Sequence, residues 1–554
     1  MALATDVEDT GSTASPSTDG RVRRLALIAY VAGGLLFVVA APLADLVEAM
    51  LPTRAEVTSR GTYFLPFTAV GDVVIRRTGA VLAAGGIAML VVDRASWNAP
   101  DVGVRGRRAI AIGIAAVGAA WYGWLAHPHN GFLDNSRIHW VDFLTDRRDD
   151  FFYAAGRIPH EVFYDAPFLW QALNVAWVIT LSWAIARRLG LSLAATVAMA
   201  ATPIVATNLW VFADTAEDVM LNVALLLTVL WAVLRRGPVV VGVALTMAVL
   251  GRPSFLVLIP CVAAAEGLTM LRRERSIHAT LAVATSRYVL VSGTVAVAGI
   301  VVSQLVMELI GDRYWFADGR VIDTGPLQDA EVVEVDGFSI SAFSGAYVGH
   351  LLWVMPLVFV VGAVFAVVRA PRLRPEIEHL THFGALGAVA VLLAHESQPL
   401  LYYNIRYLTY VWPFLFVLAW VGYLALREAG AVPAVRAAAL VMLVAGTMVL
   451  PTDPVERKRL IEARPEVELL EIRDDLRAVA DGGTIAFTFG IESTPNYVAY
   501  VMKSERWDVW GDLDAVDEGW MVMSLRSDPW IERTPDLETE SMLVHVVRSD
   551  DLDG

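Results

Sequence analysis

A chain of 554 residues that is 56% hydrophobic, with 17 tryptophans and a mean hydropathy of +0.54, is too apolar for an ordinary soluble protein. Its formal net charge of −15 speaks against a nucleic-acid partner, because tracking a phosphate backbone takes a basic groove. A single cysteine, Cys261, inside an apolar run excludes an intrachain disulfide and gives no basis for a catalytic thiol.

Residues 1–20, rich in Ser, Thr, Asp and Gly, read as a disordered cytoplasmic tail. The first apolar stretch is long and no small-residue cleavage site clearly follows it, so it reads as a retained anchor. Length and periodicity then place about 13 membrane-spanning helices. They lie at 24–47, 79–93, 108–126, 166–186, 190–211, 218–234, 237–250, 254–271, 287–309, 349–369, 379–395, 406–426 and 430–450. The runs at 79–93 and 237–250 are short for a span.

Arginine clusters orient this stack. Arg21/Arg23/Arg24, Arg105/Arg107/Arg108, Arg187/Arg188, Arg235/Arg236, Arg272/Arg273/Arg275 and Arg372/Arg374 fall on alternate connections, which places those connections in the cytoplasm. The N-terminus is then inside, and the segments 48–78, 127–165, 212–217, 310–348 and 396–405 are external, as is the C-terminal region. Arg54, Arg60, Arg76 and Arg77 run against the rule in the first external loop.

Residues 451–554 carry 24 acidic against 11 basic residues, a balance of −13 that holds nearly all of the surplus charge. Within them VELLEIRDDLRAVA has helical spacing, and TIAFTFG, GWMVMSL and MLVHVVR read as strands, predicting a small external α/β domain over 465–554. Lysine occurs only at Lys458 and Lys503. An acidic, lysine-poor surface fits a halophilic archaeal source. A GC-rich genome with an incidentally acidic domain fits it too.

The longest external loop, 127–165, is crowded with carboxylates, guanidinium groups and aromatic rings. A span precedes it, two hairpins with very short external turns follow, and a second long external loop comes at 310–348. This order, with five short motifs, resembles the GT-C superfamily of polytopic glycosyltransferases that use dolichyl- or polyprenyl-phosphate sugars. LDNSRIHW resembles the family's Asp-x-x-Arg-Tyr pattern, with Asp134 at the catalytic position and Arg137 three residues on. GRIPHEVFYDAPFLWQAL resembles its Gly…Tyr-x-x-Pro-Pro-Leu-x-x-Trp approach to the next helix, with only Pro167 of the paired prolines present. ATPIVATNLWVFADTAEDVMLNVALLL is similar to the hairpin whose external turn bears an acidic residue. LTMAVLGRPSFLVLIP is similar to the Leu-x-Lys segment, with Arg252 in place of Lys, and NIRYLTYVWPFLFVLA to the late Arg-Tyr helix, through Arg406, Tyr407 and Pro413. The resemblance covers roughly 108–430.

It implies an α-helical polytopic membrane protein in which 21–107 is an added N-terminal hairpin, 108–450 the catalytic core and 451–554 an acidic external domain. It also implies transfer of one sugar, mannose being the commonest in similar systems, from a dolichyl- or polyprenyl-phosphate donor to an external glycan or glycoprotein acceptor. Such a reaction needs a carboxylate to deprotonate the acceptor and cations to neutralise the departing phosphate. Asp134 is the candidate base, its alternative being a helix N-cap. Arg137 binds phosphate or forms a surface ion pair with Asp134. Asp214 and Asp218 (with Glu217) position the acceptor, or Asp218 simply favours the start of its helix. Arg252, between Gly251 and Pro253, is one phosphate clamp, its alternative being snorkelling toward lipid headgroups. Arg406, beside Tyr402, Tyr403 and Tyr407, is the other. His395 and Glu396 share that turn, where Glu396 also has Arg406 as an ion-pair partner.

Asp142, Asp146, Asp149 and Asp150, interleaved with Arg147 and Arg148, read as a solvated helix face. His127, His129 and His139 leave a divalent ion open, but their spacing fixes no ligand set, and no metal is predicted. The glycine-bearing 310–348 loop is compatible with a lid. Three rivals remain: a protein O-glycosyltransferase of the same superfamily, a secondary transporter and a non-catalytic membrane scaffold.

Overall fold

The computed structural model describes residues 16–50, 57–58, 61–62, 67–92, 102–125, 167–206, 209, 219–275, 283–309, 352, 355–396, 409–447, 485–487, 521–525, 537–538 and 544–548. Its body is helical. In chain order come α1 (Pro16–Val38), α2 (Ala40–Met50), α3 (Phe67–Val92), α4 (Val104–Leu125), α5 (Pro167–Leu189), α6 (Leu193–Val205) and α7 (Val219–Arg235). There follow α8 (Pro238–Gly251), α9 (Leu258–Glu274), α10 (Arg287–Leu309), α11 (Leu357–Arg369), α12 (Pro375–Glu396), α13 (Trp412–Glu428) and α14 (Pro433–Ala445).

Punctuation in the sequence sets the helix ends. Ser192 caps α6 by accepting from the Ala195 amide at 3.4 Å, and Pro238 and Pro433 occupy first turns where no amide donor is needed. Gly190, at φ +80°, closes α5: its own amide reaches the Arg187 carbonyl, and the next amide, Leu191, reaches Ala186, each at 3.1 Å.

Every predicted span overlaps a helix, the first the pair α1 and α2, which meet at a 69° bend, though the helices within 190–211, 349–369 and 430–450 are only 13 residues long. The start of α3 is a correction. Hydropathy puts Arg76 and Arg77 in a loop, yet both lie inside the helix. Arg77 is only 3% exposed and donates to the Leu352 carbonyl, while Arg76 stands over the Phe37 ring at 5.6 Å. Tertiary contacts, a carbonyl acceptor and an aromatic face, accommodate charges that a hydropathy reading counts as loop.

Among the described residues four helices are long and apolar enough to cross a membrane: Val74–Val92, Val104–Leu125, Ser254–Glu274 and Pro375–Ala394. The bent pair makes a fifth if it counts as one span. Leu193–Val205, Val219–Arg235, Pro238–Gly251, Arg287–Ser303 and Pro433–Ala445 are apolar but shorter. At 13 residues α6 reaches about 20 Å, against a hydrocarbon core of about 30 Å. The larger number of crossings expected from hydropathy thus goes beyond what helix length shows. What the fold does define is a multi-pass α-helical membrane protein.

Packing follows the same logic. α7 is buried along almost its whole length, at the centre of the bundle against α5, α8, α12 and α13. Peripheral helices leave apolar residues outward, as with Leu25, Ile28, Val31 and Leu35 on α1 and Val361, Val364 and Val368 on α11. α11 and α13 run parallel and touch backbone to backbone, since a side chain on Gly422 would collide with the Gly362 carbonyl. The Gly33 and Gly79 pair brings α1 and α3 equally close.

The C-terminal strands form one four-stranded sheet, ordered β3–β4–β6–β5. β1 (Val57–Thr58) and β2 (Gly61–Thr62) are a separate antiparallel pair. β3 (Ile485–Phe487) runs parallel to β4 (Met521–Leu525), and β6 (Val544–Arg548) is antiparallel to β4 and to β5 (Leu537–Glu538). The three predicted strands are β3, β4 and β6. The predicted helix before them lies outside the described residues.

Candidate functional site

Helix pairing sorts the connections onto two ends of the bundle. At one end Arg374 donates to the Arg188 and Leu189 carbonyls, at 3.0 Å each, and Arg427 to the Gly190 carbonyl at 2.9 Å. There Arg273, at the C-terminal end of α9, also holds Glu378 at the start of α12, and Arg236, just past α7, stands over the Tyr288 ring, whose hydroxyl meets His379 of α12. Gly86 of α3 lies against Ala26 and Tyr30 of α1, and Gly33 against Gly79 and Ala83, so the two helices are antiparallel. The Tyr122 hydroxyl near the end of α4 donates at 2.7 Å to the Pro203 carbonyl near the end of α6. The starts of α1, α4 and α6 therefore share the arginine end, and all the arginine clusters predicted on alternate connections gather there.

The opposite end brings together the last turns of α4, α6, α8 and α12 with the first turns of α5, α7, α11 and α13. Most of the predicted site residues fall, in sequence, within connections whose flanking helices end and begin there. Asp134 and Arg137 fall between α4 and α5, Asp214 and Asp218 between α6 and α7, and Tyr403 and Arg406 just before α13. All six lie outside the described residues, as do the 310–348 loop and His127, His129 and His139. His395 and Glu396 are the last two residues of α12, described in backbone only.

Arg252 is the predicted residue whose side chain is described. It ends α8 in extended backbone, its amide bonded to the Ala248 carbonyl at 2.9 Å, and Pro253 opens a short 3-10 turn to Val257. Its Nη1 donates to the Tyr410 hydroxyl at 3.2 Å, and its Cζ stands 5.1 Å from the centre of the Tyr410 ring. Tyr410 is fully buried and takes the edge of Phe255 at 5.4 Å. The guanidinium therefore turns into the bundle and does not snorkel outward. A half-buried, permanently charged fork next to a tyrosine hydroxyl is suited to an oxyanion, above all a phosphate. The late-helix motif singled out Tyr407, whereas the described partner of Arg252 is Tyr410. A tyrosine within TYVWPF carries no local sign of that role.

Sequence reasoning also missed a charged network at the arginine end. Glu266 of α9 receives both Arg236 Nη atoms, at 2.7 and 2.8 Å, and its Oε2 lies 3.1 Å from Nδ1 of the buried His379. His379 Nε2 meets the Tyr288 hydroxyl at 3.3 Å, and Arg236 stacks over the Tyr288 ring at 4.6 Å. Beside it Arg273 holds Glu378 at 2.7 and 2.8 Å, and Thr269 meets His382 at 2.9 Å. These groups adjoin a cleft of about 320 Å³ lined by Arg236, Glu266, Thr269, Met270, Arg273, Glu274, Pro375 and Glu376. The available signal was a pair of acids and two histidines inside apolar runs, Glu378, His379 and His382 being neighbours on one helical face. Each buried acid faces an arginine from another turn, and the network fastens α7, α9, α10 and α12 together.

Glu266→Ala is expected to cost about 2 kcal/mol of stability, less than the ~3–5 kcal/mol of a fully buried pair, because the Arg236 side chain remains 33% exposed. Thermal unfolding in detergent measures it, and an unchanged transition would show that the network is dispensable. Among the described residues no three His, Cys, Asp or Glu side chains converge as metal ligands.

The fold and both ends thus define a helical membrane protein with a cation poised at the end away from the arginine belt. No family model matches the sequence, and no curated protein matches it. Among solved structures the chain is similar to ArnT from Cupriavidus metallidurans bound to undecaprenyl phosphate, at 14% identity and a TM-score of 0.46, over 81% of this chain and 98% of that one. Its apo state is similar at 12% identity and a TM-score of 0.45, over 81% and 99%.

Proposed function

We propose that the chain is a membrane glycosyltransferase of the GT-C type. It moves a single sugar, mannose as the first candidate, from a dolichyl- or polyprenyl-phosphate carrier to a lipid-linked or protein-bound glycan outside the cell. The observation that carries this reading is the Arg252–Tyr410 pair, seated at the bundle end where the carboxylate-rich segments begin and end. The ordered sequence motifs support it.

In the proposed reaction Asp134 takes the acceptor hydroxyl proton as that oxygen attacks the anomeric carbon with inversion. The bond from sugar to phosphate oxygen breaks, and Arg252 and Arg406 receive the charge of the departing lipid phosphate. Asp214 and Asp218 hold the acceptor, while Arg137, His395, Glu396 and Tyr403 contact the head group. The arginine end faces the cytoplasm and the acidic region 451–554 stands outside. A haloarchaeal source would make surface-glycoprotein glycans the acceptors, with protein O-glycosylation the nearest variant.

The test supplies labelled dolichyl- and undecaprenyl-phosphate sugars to membranes with and without the chain. Label entering an external acceptor only with the chain is the expected result, and no chain-dependent transfer from either donor overturns the reading.

A second reading, secondary transport, is favoured by the charges buried within apolar helices, Glu266 and His379 foremost. Solute uptake by proteoliposomes that vanishes in Glu266→Gln, with no glycosyl transfer, would establish it instead.

A further inference from the structure

The cleft at the arginine end holds more charge than the clamp between its helices uses. Around it Arg236 pairs with Glu266, Arg273 with Glu378, and Glu376 with Arg374 at 3.5 Å, so each guanidinium is matched by a carboxylate. Glu274, the last residue of α9, lines the same cleft and stands outside these pairs. It is exposed and has no ion-pair partner among the described residues.

Donor capacity is left over as well. Arg273 spends Nε and Nη2 on one oxygen of Glu378, at 2.8 and 2.7 Å, which leaves Nη1 uncommitted among the described residues. Its side chain is 41% exposed, so that nitrogen is within reach of a ligand. At about 320 Å³ the cleft stands at the lower end of ligand-pocket sizes and suits a small polar group. A simple anion would be repelled by Glu274 and Glu376, and a simple cation by Arg236 and Arg273. A group that carries both signs satisfies both.

The depth is that of lipid head groups. The cleft lies where the span Ser254–Glu274 ends and the span Pro375–Ala394 begins. Leu268 and Leu271, on the turns before Glu274, are exposed, and Met270 adds an apolar patch to the lining. Leu271 and Glu274 are neighbours three residues apart, so an outward apolar surface and the charged lining meet on one helical turn.

We propose that this cleft binds a phosphodiester bearing a primary ammonium, the head group of phosphatidylethanolamine. The phosphate takes the spare N–H groups of Arg273, and the ammonium donates to Glu274. A phosphatidylcholine head has no N–H to donate, and a phosphatidylglycerol head leaves Glu274 unmatched. The site lies at the end of the bundle away from Arg252 and is independent of the glycosyltransferase reading. Two sources share this chemistry, the membrane lipid and soluble glycerophosphoethanolamine, and the exposed leucines favour the lipid.

The test adds phosphatidylethanolamine, phosphatidylcholine, phosphatidylglycerol or glycerophosphoethanolamine, one at a time, to the full chain in detergent and reads the bound molecule by native mass spectrometry. Wild type should hold one phosphatidylethanolamine about tenfold more tightly than either other lipid. Glu274→Gln should keep Tm and weaken phosphatidylethanolamine about fivefold, the worth of an exposed ion pair, without weakening phosphatidylglycerol. Arg273→Lys keeps a charge against Glu378 but loses the fork, and should weaken both phospholipids about tenfold. Glu428→Gln, at an exposed position ending α13, is the control and should change nothing.

Equal wild-type affinity for the three lipids overturns the proposal. Tighter binding of phosphatidylglycerol does so too, since it would mark this end as a basic belt without a head-group site. Unchanged phosphatidylethanolamine affinity in Glu274→Gln also overturns it, and a joint fall of affinity and Tm there marks the residue as structural. Should Arg273→Lys fail to fold, Glu274→Gln decides alone. Glycerophosphoethanolamine bound as tightly as the lipid assigns the cleft to a soluble ligand and overturns its lipid source.

Discussion

Asp134→Asn is expected to lower sugar transfer by a factor of about 10² to 10⁴, the range a positioned general base contributes. The substitution is chosen because asparagine starts a helix as well as aspartate does. If Asp134 serves only as a helix N-cap, the variant folds and transfers like wild type, and the catalytic assignment fails. If it is the base, Tm and donor binding stay near wild type while turnover collapses. Single-turnover assays with a labelled lipid-phosphate sugar separate the two.

The second large effect is expected at Arg252. Removing the guanidinium in Arg252→Ala takes away a charge-assisted contact, worth roughly 1.5–3 kcal/mol, and should raise KM for the donor about ten- to hundredfold. Arg252→Lys keeps the charge but loses the planar fork, so it should recover only part of the loss. Tyr410→Phe removes the hydroxyl that receives Arg252 Nη1 at 3.2 Å and should cost less than either, since the ring still faces the guanidinium. Equal KM values in wild type and Arg252→Ala would detach this arginine from the donor.

Both experiments bear on what a reader of the sequence was able to see. Helices were legible because long apolar runs interrupted by arginine clusters are a strong one-dimensional signal, and each predicted run overlaps a helix. The early start of α3 was not legible, because the burial of Arg77 depends on Leu352, far along the chain. The strands β4 and β6 declared themselves through dense β-forming residues. β5, two residues with no alternation, did not.

Arg252 stood out through its setting between Gly251 and Pro253 amid apolar spans. Its partner Tyr410, 158 positions away, did not, since only the tertiary fold brings the residue after α8 to the turn that precedes α13.

Four helices fastened by Arg236, Glu266, Arg273, Glu378 and His379 behave as levers clamped at a common fulcrum. Any angular play among them is smallest beside the clamp and widens in proportion to distance along each shaft. Whatever pries them apart would meet the least resistance at the unclamped tips, the end where Arg252 meets Tyr410.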